Sequence, residues 1–338
     1  MEPIVHVEHL TKSFTMRVKQ HGLAASIAGL VRPERRTIDA VRGIDFAIEP
    51  GEVVAFIGPN GAGKSTTIKL ITGILYPDAG TVRVMGMDPH RQRKALAYRI
   101  GTVFGQKSQL WFHLPPADSF RLLGTIYDLS TAETVKRIDF LTEVFEIGEF
   151  IDQPVRKLSL GQRIRCEIAG SLIHSPRVLF LDEPSIGLDV VVKQRIRDLI
   201  ARINAEERVT VFLTSHDAGD IEKICRRAIV INHGSIVWDG TVKEMKYSFL
   251  NRRIVEVKMD GPATVSLPGV TVLKQRDYSM KIEVDLGVSS AERVISELLR
   301  QSSIQDITIS SAPMEEVITH IYERTGRPAP PEPAEVES

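Results

Sequence analysis

The sequence predicts an α/β fold followed by a smaller α+β domain. Three observations carry this expectation. Short apolar runs alternate with amphipathic helical stretches through most of the chain. A glycine-rich segment of the form G-x-x-x-x-G-K-[ST], Gly58 to Ser65, lies between one apolar run and the helix that follows it. Near residue 250 the pattern changes to polar–apolar alternation, the period of half-buried strands.

The elements follow in order. Val53 to Ile57 reads as a buried strand. Lys64 to Leu75 is expected to be helical, with Ile68, Ile71 and Leu75 on one face and Pro77 past its end. The capping-box pattern Ser130 to Glu133 opens a helix carrying Ile138, Leu141 and Phe145. Gly161 to Ile173 reads as helix, with Ile164, Ile168 and Leu172 spaced four apart and Ser175-Pro176 stopping it. Val178 to Leu181 is a second buried strand, Val191 to Ala205 a helix, and Val209 to Leu213 a strand. Ala228 to Trp238 reads as a hairpin turned at His233-Gly234. Farther on, strands are expected at Arg253 to Met259, Val270 to Leu273, Met280 to Val284 and Ile304 to Ile309. Helices are expected at Ser289 to Gln301 and, with Pro at its start and Gly326 after its end, at Pro313 to Arg324. The Pro/Glu/Ala-rich tail beyond Gly326 has the composition of a disordered segment.

Composition sets limits. The chain has 338 residues, 43% hydrophobic and 25% charged, enough for one large core and a smaller one. Lys plus Arg (43) equals Asp plus Glu (43), so no global charge argues for a nucleic-acid partner. Cys166 and Cys225 have no second Cys or ligand His beside them, which argues against a disulfide framework or a zinc site and fits a reducing compartment. The first residues show no basic region followed by an apolar core, so no signal peptide is expected. No apolar run approaches the roughly 20 residues of a spanning helix.

Two motifs carry chemistry. In the loop from Gly58 to Ser65, glycines let the backbone wrap phosphate with its N–H groups inward, and the helix N-terminus adds partial positive charge. Lys64 supplies a full charge to the β/γ-phosphates, and the Ser65 hydroxyl can ligate Mg²⁺. Alone, this motif says that a nucleoside triphosphate binds. Then Val178 to Pro184 places Asp182 and Glu183 at the end of an apolar strand, where α/β sheets bind ligands. Asp182 can hold the Mg²⁺ shell and Glu183 can polarise an attacking water. A strand ending in a solvated acidic turn is the plain alternative for that pair.

Leu158-Ser159-Leu160-Gly161-Gln162-Arg163 resembles the LSGGQ signature of ATP-binding cassette (ABC) proteins, with Leu160 replacing the first Gly of the pair. Other motifs stand in that family's order. Gln106 resembles the Q-loop glutamine, Ser185 to Asp189 the D-loop, His216 the switch histidine, and Phe14 the aromatic that stacks on adenine. The resemblance spans about residues 4 to 245. It implies a P-loop NTPase (ABC ATPase) domain with a RecA-like core and a helical subdomain at about 107–172. A C-terminal α+β accessory domain (250–326) and a disordered tail (327–338) follow.

It further implies ATP and Mg²⁺ as cofactors and two cassettes paired head to tail, most simply as a homodimer. Phe14, Gly58, Pro59, Asn60, Gly61, Ala62, Gly63, Lys64, Ser65 and Thr66 would contact the nucleotide in one copy. Ser159 and Gly161 would act on the nucleotide held by the other copy, and Gln162 and Asp189 would also contact nucleotide. Ser65, Gln106 and Asp182 would hold the metal. Glu183 would orient water, His216 would contact the γ-phosphate, and Lys64 and Gln106 would complete the catalytic set. The partner implied is a transmembrane permease, with the chain peripheral on the cytoplasmic face of the membrane and without nucleic acid. The single cassette, the C-terminal extension and Gln106 to Trp111 together resemble ABC-2-type exporters. A soluble ABC ATPase with a non-transport role is the alternative. One phosphate loop, one signature and no sustained heptad speak against the tandem-cassette and coiled-coil soluble members.

Plain readings stand beside these. His216 can be a surface histidine after a strand, Gln106 a loop amide, Phe14 a core aromatic. An insertion, residues 15–37, separates Phe14 from the next strand. Its arginines around an apolar centre suit either an amphipathic helix at a membrane or permease surface, or an excursion packed on its own domain. The aromatic, proline-rich stretch Lys107 to Pro116 suits a protein interface or a packed turn.

Overall fold

The computed structural model of the protein describes residues 2–17, 35–105, 108–215, 217–247, 252–311 and 314–324. The chain divides into two compact units, Met1–Asp239 and Gly240–Ser338.

The first unit is built on a three-stranded antiparallel sheet and a six-stranded, mostly parallel one. The smaller sheet orders β1 (Val5–Arg17) between β2 (Arg35–Ile48) and β4 (Ala79–Val84). The larger runs β5 (Ile100–Phe104), β6 (Val178–Asp182), β7 (Thr210–Ser215), β3 (Val53–Ile57), β8 (Arg227–Asn232), β9 (Ser235–Thr241). Every residue of β3, β6 and β7 is buried, which is why each carries an apolar run, 53–57, 178–181 and 211–213. Phe46 of the small sheet, Phe56 of β3 and Phe212 of β7 pack together, with Phe56 and Phe212 ring centroids 5.2 Å apart. Parallel register sets Ile57 beside Ser215 and Asp182 beside Thr214, so the strands' carboxyl ends form one edge. Among the described residues no helix is long and apolar enough to cross a membrane.

Helix α1 (Lys64–Ile71) stops four residues before the predicted Leu75. Gly73 takes φ +73°, and a Cβ there would come within 2.3 Å of the Pro89 carbonyl oxygen, so the chain turns away under close backbone approach. After the short α2 (Arg93–Ala97), α3 (Pro116–Ile126) begins where the aromatic, proline-rich stretch ends, within the span expected to be a helical subdomain. Pro116 sits at its first position, where proline's missing N–H is harmless. Gly124 lets α3 approach α4 (Thr131–Phe145), since a Cβ would meet Thr134 Oγ1 at 2.4 Å. The predicted capping box opens α4: Ser130 N–H donates to Glu133 Oε2 at 2.9 Å and Glu133 N–H to Ser130 Oγ at 3.2 Å. Helix α5 (Leu160–Ser171) packs on both α3 and α4, and α6 (Val190–Glu207) and α7 (Ala218–Ile224) complete the unit. The predicted turn at His233-Gly234 is present, both residues at positive φ.

The insertion at 15–37 begins and ends as β-structure. Thr15 pairs with Thr37, Met16 with Arg36 and Arg17 with Arg35, prolonging the β1–β2 hairpin. The apolar centre proposed for it lies outside the described residues.

His174, just after α5, stacks on Tyr127 at 3.8 Å, and its Nε2 bonds the Ile100 carbonyl oxygen at 3.0 Å. Burial pushes its pKa down to about 4. The unfolded chain takes up this proton near pH 6.5 and the folded chain only near pH 4, so stability is complete above pH 6.5 and declines as pH falls through that window. We expect about 2 kcal/mol to be lost at pH 5. Thermal melts of the parent and His174→Gln between pH 8 and 4.5 check this; parallel profiles would refute it.

The second unit is a four-stranded antiparallel sheet in the order β11 (Val270–Arg276), β12 (Ser279–Asp285), β10 (Arg252–Met259), β13 (Ile304–Ser311). Its core joins Val255, Val257, Ile282 and Val284 to Val294 and Leu298 of α9 (Ala291–Leu299). Helix α8 (Val242–Tyr247) packs against α10 (Met314–Arg324), which buries Val317 and Ile318. The strands expected by alternation at 253–259, 280–284 and 304–309 are present within these bounds. The tail read as disordered lies outside the described residues.

Candidate functional site

The carboxyl edge of the large sheet gathers the chemistry. Between β3 and α1 the loop turns at Gly61 (φ +81°) and Gly63 (φ +112°). A Cβ on Gly63 would sit 2.3 Å from the Ala40 carbonyl oxygen, and one on Gly58 2.5 Å from that of Ile231. Both positions require glycine because neighbouring backbone lies against them. Gly61 has open space around it, so at that position it is the φ value that favours glycine.

Lys64 is only 5% exposed. Its Nζ donates to the Gly58 carbonyl oxygen at 2.7 Å and lies 3.1 Å from Glu183 Oε1. The ammonium is thus held at the loop by backbone and balanced by Glu183, the residue just past β6. Ser65 Oγ donates to Asp182 Oδ1 at 3.0 Å, across a separation of 117 residues. A hydroxyl and a carboxylate this close form a hard oxygen donor pair of the kind Mg²⁺ prefers. Pro59, Asn60, Ala62 and Thr66 lie in the same loop and its helix, where the motif places them.

Thr214, near the end of β7, is given no role by the sequence alone. Its Oγ1 donates to Asp182 Oδ1 at 2.7 Å and accepts from the Glu183 N–H at 3.0 Å. One side chain therefore fixes both acids. Glu183 adopts φ +52°, left-handed backbone that costs a non-glycine residue roughly 1–2 kcal/mol. Its N–H also lies 3.2 Å from the Thr214 carbonyl oxygen. The strained residue is the proposed water-orienting one, and the end of β7 holds it.

Phe14, 36% exposed, lies on β1 opposite Ile38 of β2. Two residues beyond Ile38, Ala40 abuts Gly63. The aromatic thus stands on the hairpin that flanks the loop, with Lys12 Nζ 5.7 Å from its ring centroid. Gln106 and His216 lie outside the described residues. Their neighbours do not: Gly105 N–H donates to the Asp182 carbonyl oxygen at 3.0 Å, and Ser215 ends β7.

The signature segment builds the start of α5. Ser159 is its N-cap, paired reciprocally with Gln162: the Ser159 N–H donates to Gln162 Oε1 at 2.9 Å and the Gln162 N–H to Ser159 Oγ at 3.3 Å. Gly161 touches α6, because a Cβ would lie 2.5 Å from Val192 Cγ1. Asp189 caps α6 through the Val192 N–H at 2.9 Å. Ser159, Gly161, Gln162 and Asp189 therefore each have a structural role within one copy. Val190 and Val191 are exposed beside them, at 78% and 77%.

Behind the signature, Glu167 of α5 is buried and accepts hydrogen bonds from Ser108 Oγ and, at 2.9 Å, the Gln109 N–H. Burial pushes its carboxyl above the ordinary range, against these hydrogen bonds. It anchors the residues that lead to Trp111 and Phe112, both exposed.

The family profile described as "ABC transporter" matches residues 41–186. The daunorubicin/doxorubicin resistance ATP-binding protein DrrA of Streptomyces peucetius is 31% identical over 315 residues, which cover 90% of this chain and 93% of that protein. The ABC transporter ATP-binding protein NatA of Bacillus subtilis is 31% identical over 212 residues, covering 63% of this chain and 86% of its own length. Among solved structures, cbiO1 from Clostridium perfringens, part of the transporter complex cbiONQ, superposes with a TM-score of 0.60 at 28% identity, over 72% of this chain and 90% of that one. The cassette MJ0796, in a dimeric post-hydrolysis state bound to ADP and Pi, gives 0.58 at 26%, over 70% and 98%.

Proposed function

We infer the function from one premise: the chain belongs to the family of ABC transporter ATP-binding proteins. It is an ATPase whose hydrolysis serves transport. Beyond that, we propose that it pairs with a second copy, works with a separate permease at the cytoplasmic face of the membrane, and exports its cargo. The named resistance function of the Streptomyces relative supports export, and the dimeric solved cassette supports pairing.

The observation that carries the reading is the convergence of Lys64, Ser65, Asp182 and Glu183 at one glycine cradle. The loop's N–H groups and Lys64 bind the β/γ-phosphates, and the phosphate draws Lys64 from Glu183. Ser65 and Asp182, with Gln106, would hold Mg²⁺, which when bound neutralises charge on the phosphate oxygens. Glu183, released from Lys64, orients water toward the γ-phosphorus and accepts its proton. His216 contacts the γ-phosphate, and Phe14 stacks on the base. Ser159, Gly161, Gln162 and Asp189 act on the nucleotide of the opposite copy, where the start of α5 offers N–H groups to phosphate. The unit around β10–β13 is an accessory domain.

The test is MgATP binding and hydrolysis by the purified chain and by Lys64→Ala. We expect the variant to lose at least about tenfold in MgATP affinity, the equivalent of one charge-assisted contact of 1.5 kcal/mol or more. Equal affinity in both proteins would refute the placement of phosphate at this loop.

A further inference from the structure

We propose that Asp220 is a positioning residue for the hydrolytic reaction: its buried carboxylate ties the loop that carries Glu183 to the end of β7. The proposal rests on the reading of Glu183 as the group that orients water.

Asp220 lies on α7 and is 2% exposed. Its Oδ2 accepts from two hydroxyls, Ser185 Oγ at 2.8 Å and Ser215 Oγ at 2.6 Å. Its Oδ1 accepts from Arg197 Nε at 2.7 Å. Ser185 comes two residues after Glu183, and Ser215 immediately precedes position 216. These serines are 30 positions apart in sequence, yet one carboxylate serves as acceptor for both.

The carboxylate is itself built into place. Arg197 on α6 is 5% exposed, and its guanidinium forks between Asp220 and Asp217, with Nη2 3.0 Å from Asp217 Oδ1. Lys193 Nζ donates to Asp217 Oδ2 at 2.6 Å. Two cations thus balance two carboxylates, the condition under which a buried charge keeps its place. Burial pushes the Asp217 carboxyl up, but the hydrogen bonds from Lys193 and the Gly219 N–H outweigh it and hold the group below the ordinary carboxylate range. Gly219 makes room: a Cβ there would lie 2.8 Å from Arg197 Nη2. Asp217 in turn donates its N–H to Ser215 Oγ at 2.9 Å, so the residues on both sides of position 216 belong to this cluster.

The consequence falls on Glu183. Its left-handed backbone is held on one side by Thr214, through the Glu183 N–H. The second attachment is Ser185 to Asp220 and through it to Ser215, the next residue of β7. Ser185 thus adds a tether to those that Thr214 and Lys64 give Glu183, and losing it loosens the strained turn from which the carboxylate projects. Loss of the clamp therefore acts on the rate of the chemical step and leaves the phosphate cradle alone, because none of the clamp's hydrogen bonds involves residues 58–66.

The experiment measures kcat, MgATP dissociation constant and melting temperature for the full chain and for Asp220→Asn, Ser185→Ala, Ser215→Ala and the double serine variant. We expect kcat to fall 10- to 100-fold in Asp220→Asn and several-fold in each serine variant, with the dissociation constant within threefold of the parent. The double serine variant should lose less than the product of the single losses, because the hydroxyls act through one acceptor. If Asp220→Asn does not fold, the serine variants, which leave no charge unpaired, decide alone. Serine variants with kcat within twofold of the parent, or losing ATP affinity in step with rate, would overturn the proposal. A parent that hydrolyses no ATP, or a Glu183→Gln variant as fast as the parent, would instead overturn the reading of Glu183.

Discussion

Glu183→Gln is expected to lower turnover by roughly 10²–10⁴-fold, the usual contribution of a positioned proton acceptor, while MgATP binding survives or tightens. The two effects have separate causes. Glutamine keeps the shape of the side chain and therefore the strained turn at φ +52°, but cannot take a proton from water. The carboxylate also lies 3.1 Å from the Lys64 ammonium and draws on its charge. An amide releases that charge to the phosphates, so affinity should not fall with rate. If a triphosphate held between two copies keeps them together until it is cleaved, the variant should also accumulate as an ATP-loaded dimer. Turnover assays and size-exclusion chromatography with and without MgATP read both outcomes. Turnover at the parental rate would remove Glu183 from its role. A monomer that retains ATP would remove the paired-cassette reading and leave the phosphate loop intact.

The parts of this site legible in the sequence are those contiguous along the chain. The phosphate loop reads directly because one turn of backbone supplies the cradle, the lysine and the hydroxyl. Asp182 and Glu183 read because they end a fully buried strand. Thr214 and Asp220 carry no such pattern. Thr214 reaches Asp182 only through the pairing of β6 with β7, and Asp220 reaches Ser185 only through the packing of α7 on α6. Spatial partners made by register and helix packing leave no local trace in one sequence. The same holds for the fold. Uniformly apolar strands such as β3 and β6 announce themselves, whereas β1 is broken by irregularities near His9, at φ +49°, and its alternation is lost there. Helix α3 hides behind Pro115-Pro116 and a glycine kept for its contact with α4. The signature's residues are legible as a motif, but their capping and packing roles within one copy are not.

Those roles sharpen the second large prediction. Ser159 is the N-cap of α5, so alanine there confounds a weakened helix with a lost phosphate contact. Aspartate caps as well as serine but sets a negative charge where a γ-phosphate from the opposite copy would approach. Ser159→Asp should therefore fold as the parent does and lose hydrolysis. Mixed with Glu183→Gln before ATP is added, it should regain activity. In a mixed dimer one site joins the defective acid to the defective signature, while the other joins an intact Glu183 to an intact Ser159. With random exchange half the dimers are mixed, each with one sound site of two, so roughly a quarter of the parental rate should return in a two-fold symmetric pair with independent sites. A site completed within one chain gives a different answer, because every copy in the mixture is then defective and the mixture stays as inactive as its parts. Steady-state ATPase rates of the two variants alone and together, at equal total protein, separate the two arrangements.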